Sequence, residues 1–205
     1  MDVRRIFTEI YTENRWKDPE SRSGPGSSVY RTRLIRPALS RLLRELGVRS
    51  VLDVPCGDFN WMRLTDIGEI HYIGIDVVPG IVHRNTCLFA DERVSFLCLD
   101  MIEDALPSAD LILCRDGLVH LSFADIGSAL RQMRQSQAKY LLTTTFDAHT
   151  ANLDIATGDW RPLNLRLPPL GFPQPITAIW DGPRPDGSYA DKLLALYNMA
   201  EIPPL

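Results

Sequence analysis

The sequence predicts a three-layer α/β sandwich on a seven-stranded, mostly parallel sheet that closes with an antiparallel C-terminal strand pair. Three observations predict it. From about residue 49 onward, short apolar runs alternate with amphipathic or polar stretches, the signature of strand–helix repeats. Each of the first four runs ends in an aspartate or is closely followed by one. The last two runs, Pro175–Trp180 and Leu193–Met199, are joined by a turn rich in Gly and Pro with no helix between them, which implies antiparallel pairing.

The elements follow in order. Residues 1–29 are polar and irregular, and Ser21–Ser28 reads as a flexible turn-forming loop. Next, Leu34, Ile35, Ala38, Leu39, Leu42, Leu43 and Leu46 recur at helical spacing. Pro37 marks the first turn of that helix or a kink in it, and Gly47 ends it. Five strands are expected at Ser50–Val54, Tyr72–Asp76, Val94–Leu99, Ala109–Cys114 and Tyr140–Phe146. Ser122 with Asp125 starts a helix that carries Ile126, Leu130 and Met133 on one face. The segment from Phe146 to Pro175 has no period and is rich in proline near its end. A loop of that length in a compact domain is usually a lid or binding segment. The expected division is a lid segment and helix over residues 1–48, then a core over 49–205 with a lid insertion near 148–174.

Bulk properties narrow the function. The formal net charge is −4, which is not the footprint of a general nucleic-acid binder. The charge is uneven: residues 1–50 hold 11 Lys and Arg against 6 Asp and Glu. Those arginines coat an exposed helix face or form a basic lid for an anionic acceptor. Cys56, Cys87, Cys98 and Cys114 show no metal-ligand spacing, and Cys98 and Cys114 read as small core residues. No run approaches membrane-spanning length, so a reduced, cytoplasmic protein acting on neither membrane nor nucleic acid is expected.

The chemistry sits at strand ends. Asp53 ends the first strand, Asp76 the second and Asp100 the third, and Arg115-Asp116 follows the fourth. In an open parallel sheet these ends share one crevice. Buried carboxylates need donors, and a nucleoside supplies ribose hydroxyls and an adenine amino group. Any one of these residues could be an ordinary cap or turn former, but four successive strands ending this way point to a nucleoside site.

On these residues the chain resembles the class I, Rossmann-like S-adenosylmethionine-dependent methyltransferases, from about residue 49 to the end. Val51-Leu-Asp-Val-Pro-Cys-Gly-Asp58 matches their first motif, Ile73-Gly-Ile-Asp76 the second and Leu99-Asp-Met101 the third. The resemblance implies S-adenosylmethionine as cofactor. Asp53, Cys56 and Gly57 would lie at its methionine part, Asp76 at the ribose hydroxyls, Asp100 at the adenine amino group, and Met101 on the ring. Asp58, Trp61 and Arg115 are further candidates for its lining, with core packing the rival reading of Trp61. Leu113–His120 is similar to the segment beside the transferred methyl. A narrower group of bacterial methyltransferases shares the runs at Ser23–Ser27, Asn60–Met62, Arg115–Ser122, Leu141–Phe146 and Thr157–Leu165, and assigns no acceptor.

Two departures matter. Pro55 and Phe59 replace the usual first and third glycines of the loop. Proline removes an N–H donor, and a phenylalanine there opposes the close backbone approach that a pyrophosphate requires. Both weaken an NAD-dependent oxidoreductase as the alternative. A sulfonium cofactor has no phosphate and needs only the turn at Gly57.

Asp116 is the first candidate for a catalytic base and His120 the second. The rival reading of Asp116 is a salt bridge to Arg115 or to the N-terminal segment, and that of His120 is a hydrogen bond to backbone. Asp116 and Asp147 stand where some relatives place magnesium ligands, but no Asp-Asn pair follows the fifth strand, so no metal is assigned. No Asn/Asp-Pro-Pro-Tyr run follows the fourth strand, which disfavours N-methylation of nucleic acid or glutamine. Asn152, Asp154, Trp160, Arg161 and Asn164 would suit a sugar or polyol. The expected activity is methyl transfer to an oxygen of a small molecule or glycan precursor, and the rival from another class is a non-catalytic cofactor-binding module.

Overall fold

The computed structural model describes residues 2–183 and 187–205. Seven strands form one sheet: β1 Ser50–Asp53, β2 His71–Asp76, β3 Val94–Cys98, β4 Leu111–Cys114, β5 Tyr140–Phe146, β6 Thr177–Trp180 and β7 Lys192–Asn198. Their spatial order is β3-β2-β1-β4-β5-β7-β6. The first five pair in parallel, and β7 runs antiparallel between β5 and β6. The order reverses between β1 and β4, and it is there that the C-terminal strand ends of such a sheet open a crevice.

Two side-chain layers sandwich the sheet. Helix α2, Ile35–Leu46, lays Ile35, Leu39 and Leu43 against Val51, Leu111 and Leu142. Helix α3, Pro79–Phe89, starts on a proline at its first turn and adds Val82 to the same face. On the other face α4, Phe123–Gln135, packs Ile126, Leu130 and Met133 over Leu52, Ile112 and Leu141. The expected caps are present. The Ser122 side chain accepts from the Asp125 N–H at 3.2 Å, and Gly47 closes α2 at a φ of 62°. Pro37 lies in the first turn of α2 and produces no break.

Two expectations are corrected. The first 29 residues are not wholly irregular, because Val3–Thr12 is helix α1, capped by the Asp2 side chain accepting from the Arg5 N–H at 3.1 Å. The signal was present: Val3, Ile6, Phe7 and Ile10 recur at i, i+3, i+4 and i+7. The segment 148–174 does not cover the crevice. It runs along the α4 face, where Leu163, Leu165, Leu170 and Phe172 are buried in the core. Its polar groups are spent on its own turns and on the backbone leading into α4. The Asn152 amide donates to the carbonyls of Asn164, Leu167 and Pro168. The Asn164 amide donates to those of Asp147 and His149. Asp154 accepts from the Phe123 N–H, Arg161 donates to the carbonyls of Leu118, Val119 and Leu121, and Trp160 packs on Phe146. A sugar-binding lining from these five residues is therefore not what the fold builds.

Among the described residues no helix is long and apolar enough to cross a membrane.

Candidate active site

The C-terminal ends of β1, β2 and β4 and the loop after β3 border one cleft of about 990 Å³, its open mouth included. Ten of the eleven residues expected at the site line it: Asp53, Cys56, Gly57, Trp61, Asp76, Asp100, Met101, Arg115, Asp116 and His120. The exception is Asp58. Its carboxylate accepts from the Ser21 hydroxyl at 3.0 Å and the Arg22 N–H at 2.8 Å. Asp58 anchors the N-terminal segment behind the loop and does not reach the cleft.

That segment lies within the expected N-terminal lid, but the residues it brings to the site were not among those the sequence singled out. Val3, Phe7 and Tyr11 of α1, then Trp16, Ser23 and Ser27, form one wall of the cleft. The Ser23 hydroxyl accepts from the Asp58 N–H at 2.8 Å. It sits so close to Gly57 that a Cβ there would stand 2.2 Å from it. Gly57 also has a φ of 56°, so both backbone conformation and space require glycine. Ser21–Ser28 is thus docked through specific hydrogen bonds, contrary to the expectation of a flexible loop.

Phe59 solves the third glycine position differently. It keeps the left-handed backbone, at a φ of 59°. Its ring is buried among Tyr72, Phe89 and Phe96, with centroids 5.1–5.4 Å away. Aromatic burial offsets the backbone cost, and the ring points into the α2–α3 core, away from the cleft.

The first half of the site holds carboxylates that form no ion pair among the described residues. Asp53 accepts from the Tyr72 hydroxyl at 2.5 Å, yet burial pushes its pKa up to about 7, against the lowering by that bond and by Arg115. Asp76 accepts from the Gly57 and Val78 N–H groups at 3.1 and 3.0 Å, and burial still pushes it up to about 6. Asp100 follows β3, accepts from the Ile102 N–H at 2.8 Å and is also pushed up by burial. Burial raises the Cys56 thiol well above its ordinary range, which makes it a neutral lining group.

The second half is the opposite. Arg115 donates bidentately to Asp181 at 3.0 and 3.1 Å and lies 3.5 Å from Asp116. The Lys192 ammonium reaches Asp116 at 2.7 Å and Asp181 at 2.9 Å. Two cations and two carboxylates thus form a closed, charge-balanced quartet. Lys192 and Arg115 overcome the burial of Asp116 and hold its carboxyl well below the usual range. An acid that strong is a poor base, and the ion pair to Arg115 is the rival reading that the sequence offered for Asp116. Asp181 and Lys192 belong to the C-terminal strand pair, where nothing in the sequence marks them.

His120 ends a short 3-10 turn, Leu118–His120. Its Nδ1 lies 2.8 Å from the Asp159 carbonyl oxygen, so it carries the proton and donates. The backbone bond expected as the rival reading is therefore present, but it leaves Nε2 as a lone-pair acceptor with no partner among the described residues. Burial lowers the His120 pKa, so the imidazole is neutral at neutral pH. Phe7 and Trp16 pack on it, with centroids 6.4 and 5.4 Å away.

Among the described residues no group of three or more His, Cys, Asp or Glu side chains is placed to hold a metal ion.

No known protein-family model matches the chain, and no curated protein matches its sequence. Solved structures do. Over 96% of its length the chain is similar to the 1,6-didemethyltoxoflavin-N1-methyltransferase of Burkholderia thailandensis, crystallised with 1,6-didemethyltoxoflavin and S-adenosylhomocysteine. The TM-score is 0.62, the identity 19%, and 86% of that chain is covered. It is also similar over 52% of its length to the cyclase SpnF (TM-score 0.42, 22% identity). Over 48% it is similar to human N-acetylserotonin methyltransferase in complex with S-adenosylmethionine (TM-score 0.40, 20% identity). The chain spans 44% and 30% of the length of these last two. The protein has the class I, Rossmann-like fold of S-adenosylmethionine-dependent methyltransferases, with the seven-stranded sheet and antiparallel C-terminal pair that the sequence predicts.

Proposed function

We propose that this protein binds S-adenosylmethionine and directs its methyl group to an oxygen of a small molecule. One observation carries the reading. Four carboxylates line the cleft against one guanidinium that is already paired, and burial holds Asp53 and Asp76 above their ordinary range. Such a cleft favours a ligand that brings hydroxyl donors and positive charge. A pyrophosphate cofactor would add negative charge to it and would find no N–H at Pro55, which disfavours the NAD-dependent alternative.

Each residue then has a role. Asp76 keeps lone pairs for two ribose hydroxyls beyond the two backbone donors it already accepts. Asp100, Met101 and Ile102 would flank the adenine. Asp53 would face the positively charged end. Helix α1 would close over the cofactor, and residues 1–33, part of the N-terminal segment expected as a lid, would act as one without the second expected lid at 148–174. When bound, S-adenosylmethionine supplies a methyl carbon on a sulfur that leaves as a neutral thioether. Alignment of that carbon with the acceptor is worth up to ~7–11 kcal/mol of barrier. His120 would take the acceptor's hydroxyl proton at Nε2, while its Nδ1–H stays on Asp159. Asp116, its carboxyl held low by Lys192 and Arg115, would orient the acceptor and favour the imidazolium that forms.

A second reading, a cofactor-binding module without catalysis, is favoured by the locking of Asp116 into ion pairs. His120→Gln separates the two. With an acceptor in hand, the variant is expected to lower kcat by roughly 10²–10⁴-fold at unchanged affinity for S-adenosylhomocysteine. The acid limb of the parent's pH–rate profile should lie below the ordinary histidine range. Equal rates for variant and parent would remove His120 as the base.

A further inference from the structure

Resting on the reading above, we infer that the acceptor is a neutral, planar aromatic molecule carrying a hydroxyl, and neither a sugar nor an anion. Three features of the cleft point to it.

The acceptor side is walled by flat rings. Phe7 and Trp16 each pack on His120, and Trp61 lines the same cleft. Trp61 is buried beside the Arg115 guanidinium, whose carbon is 5.5 Å from the ring centroid. Rings fixed by their neighbours offer π faces to a planar ligand at little entropic cost. A sugar would need several donors and acceptors in the plane of its ring. The residues with such groups on the α4 face, Asn152 and Asn164, are turned into their own turns.

Charge selects against an anion. The cleft-lining cation, Arg115, already has Asp181 and Asp116 within 3.5 Å, and Lys192 has the same two partners. A phosphate or carboxylate entering the cleft would meet Asp53, Asp76, Asp100 and Asp116, while Arg115, the cation that lines the cleft among the described residues, is already paired. This also counts against the basic-lid reading of the N-terminal arginines, since neither Arg4, Arg5 nor Arg15 lines the cleft.

Among the polar groups that line the cleft, which include Tyr11, Ser27 and Asp116, one stands in the aromatic wall itself. His120 Nε2 is a lone-pair acceptor without a partner among the described residues, set in the aromatic wall. It matches a hydroxyl donor on an aromatic ring, a proton more acidic than that of an aliphatic alcohol and therefore within reach of an imidazole base.

The test uses the full chain saturated with S-adenosylhomocysteine and three probes: 2-naphthol, 2-naphthoate and methyl β-glucoside. Binding is read by tryptophan fluorescence and ligand-observed NMR. The expected result is that 2-naphthol binds about tenfold or more tighter than 2-naphthoate, with no binding of the glucoside. Phe7→Ala should weaken 2-naphthol about tenfold, one aromatic contact at ~1.4 kcal/mol. Trp16→Phe, which keeps a flat ring and the fold, should weaken it less than Phe7→Ala. In a coupled assay with S-adenosylmethionine, 2-naphthol is expected to gain one methyl by mass. Failure of S-adenosylhomocysteine to bind would overturn the cofactor reading. Cofactor binding with a preference for the naphthoate or the glucoside, or with no binding of 2-naphthol, would overturn this inference alone.

Discussion

The two halves of the cleft use the same residue type in opposite ways. At the ends of β1 and β2, Asp53 and Asp76 are buried with hydrogen bonds but no ion pair among the described residues, and burial pushes their pKa values up to about 7 and about 6. Across β4, Asp116 is half-buried, and Lys192 at 2.7 Å and Arg115 at 3.5 Å hold its carboxyl well below the usual range. The difference separates a surface that is finished from one that is waiting. The quartet around Arg115 is complete in the chain alone and serves as a rigid floor. The Asp53–Asp76 side is electrostatically incomplete, which is the state expected of a site that receives a positively charged, hydroxyl-bearing ligand.

The largest effect should come from breaking the finished half. Asp181→Ala leaves Arg115 and Lys192 buried with one carboxylate between them. It is expected to cost about 3–5 kcal/mol of unfolding free energy, read as a lower denaturant midpoint at unchanged slope. A loss under 1 kcal/mol would mean that the ion pairs do not order this floor.

The waiting half should behave in the opposite sense. The folded-state pKa of Asp53 is raised to about 7, so the folded protein holds a proton that the unfolded chain releases above about pH 4. The stability this group contributes is fully present below its unfolded pKa and is lost as pH rises through about 7. Asp53→Asn keeps an acceptor for the Tyr72 hydroxyl without that loss. Between pH 5 and pH 8 the variant should gain ~2–3 kcal/mol on the parent, measured by denaturant melts without cofactor. A gap independent of pH would place Asp53 in a more polar site than the structure does.

The smallest effect concerns the clip behind the loop. Ser23→Ala removes the acceptor at 2.8 Å from the Asp58 N–H. It should cost about 1 kcal/mol and raise amide exchange at Asp58 and across Ser21–Ser28. Exchange that stays as in the parent would show the segment held by other contacts.

The reach of the sequence follows the same division. The strand-end half was legible because each of its residues sits at a fixed place in a repeating pattern. An apolar run sets the strand, and the aspartate at its end inherits its position from the sheet; β5, Tyr140–Phe146, was placed to the residue. The finished half was not legible. Asp181 and Lys192 meet Arg115 only because β7 folds back antiparallel beside β5, a contact 66 residues apart for Arg115 and Asp181 that leaves no local period. The same holds for the wall of Phe7 and Trp16, which reaches His120 across more than half the chain. Asp58 misled for a related reason. Its place after Gly57 suggests the cofactor, but the Ser21 hydroxyl and Arg22 N–H claim its carboxylate from behind.

The central claim, that the Asp53–Asp76 side is built for a cationic nucleoside cofactor, is tested most directly by calorimetric titration of parent and Asp76→Ala with S-adenosylmethionine and with NAD. The account predicts micromolar binding of S-adenosylmethionine by the parent. It predicts binding weaker by about 100-fold in the variant, as two charged hydrogen bonds are lost, and no heat from NAD. Binding of NAD without S-adenosylmethionine, or equal affinities in parent and variant, would contradict it.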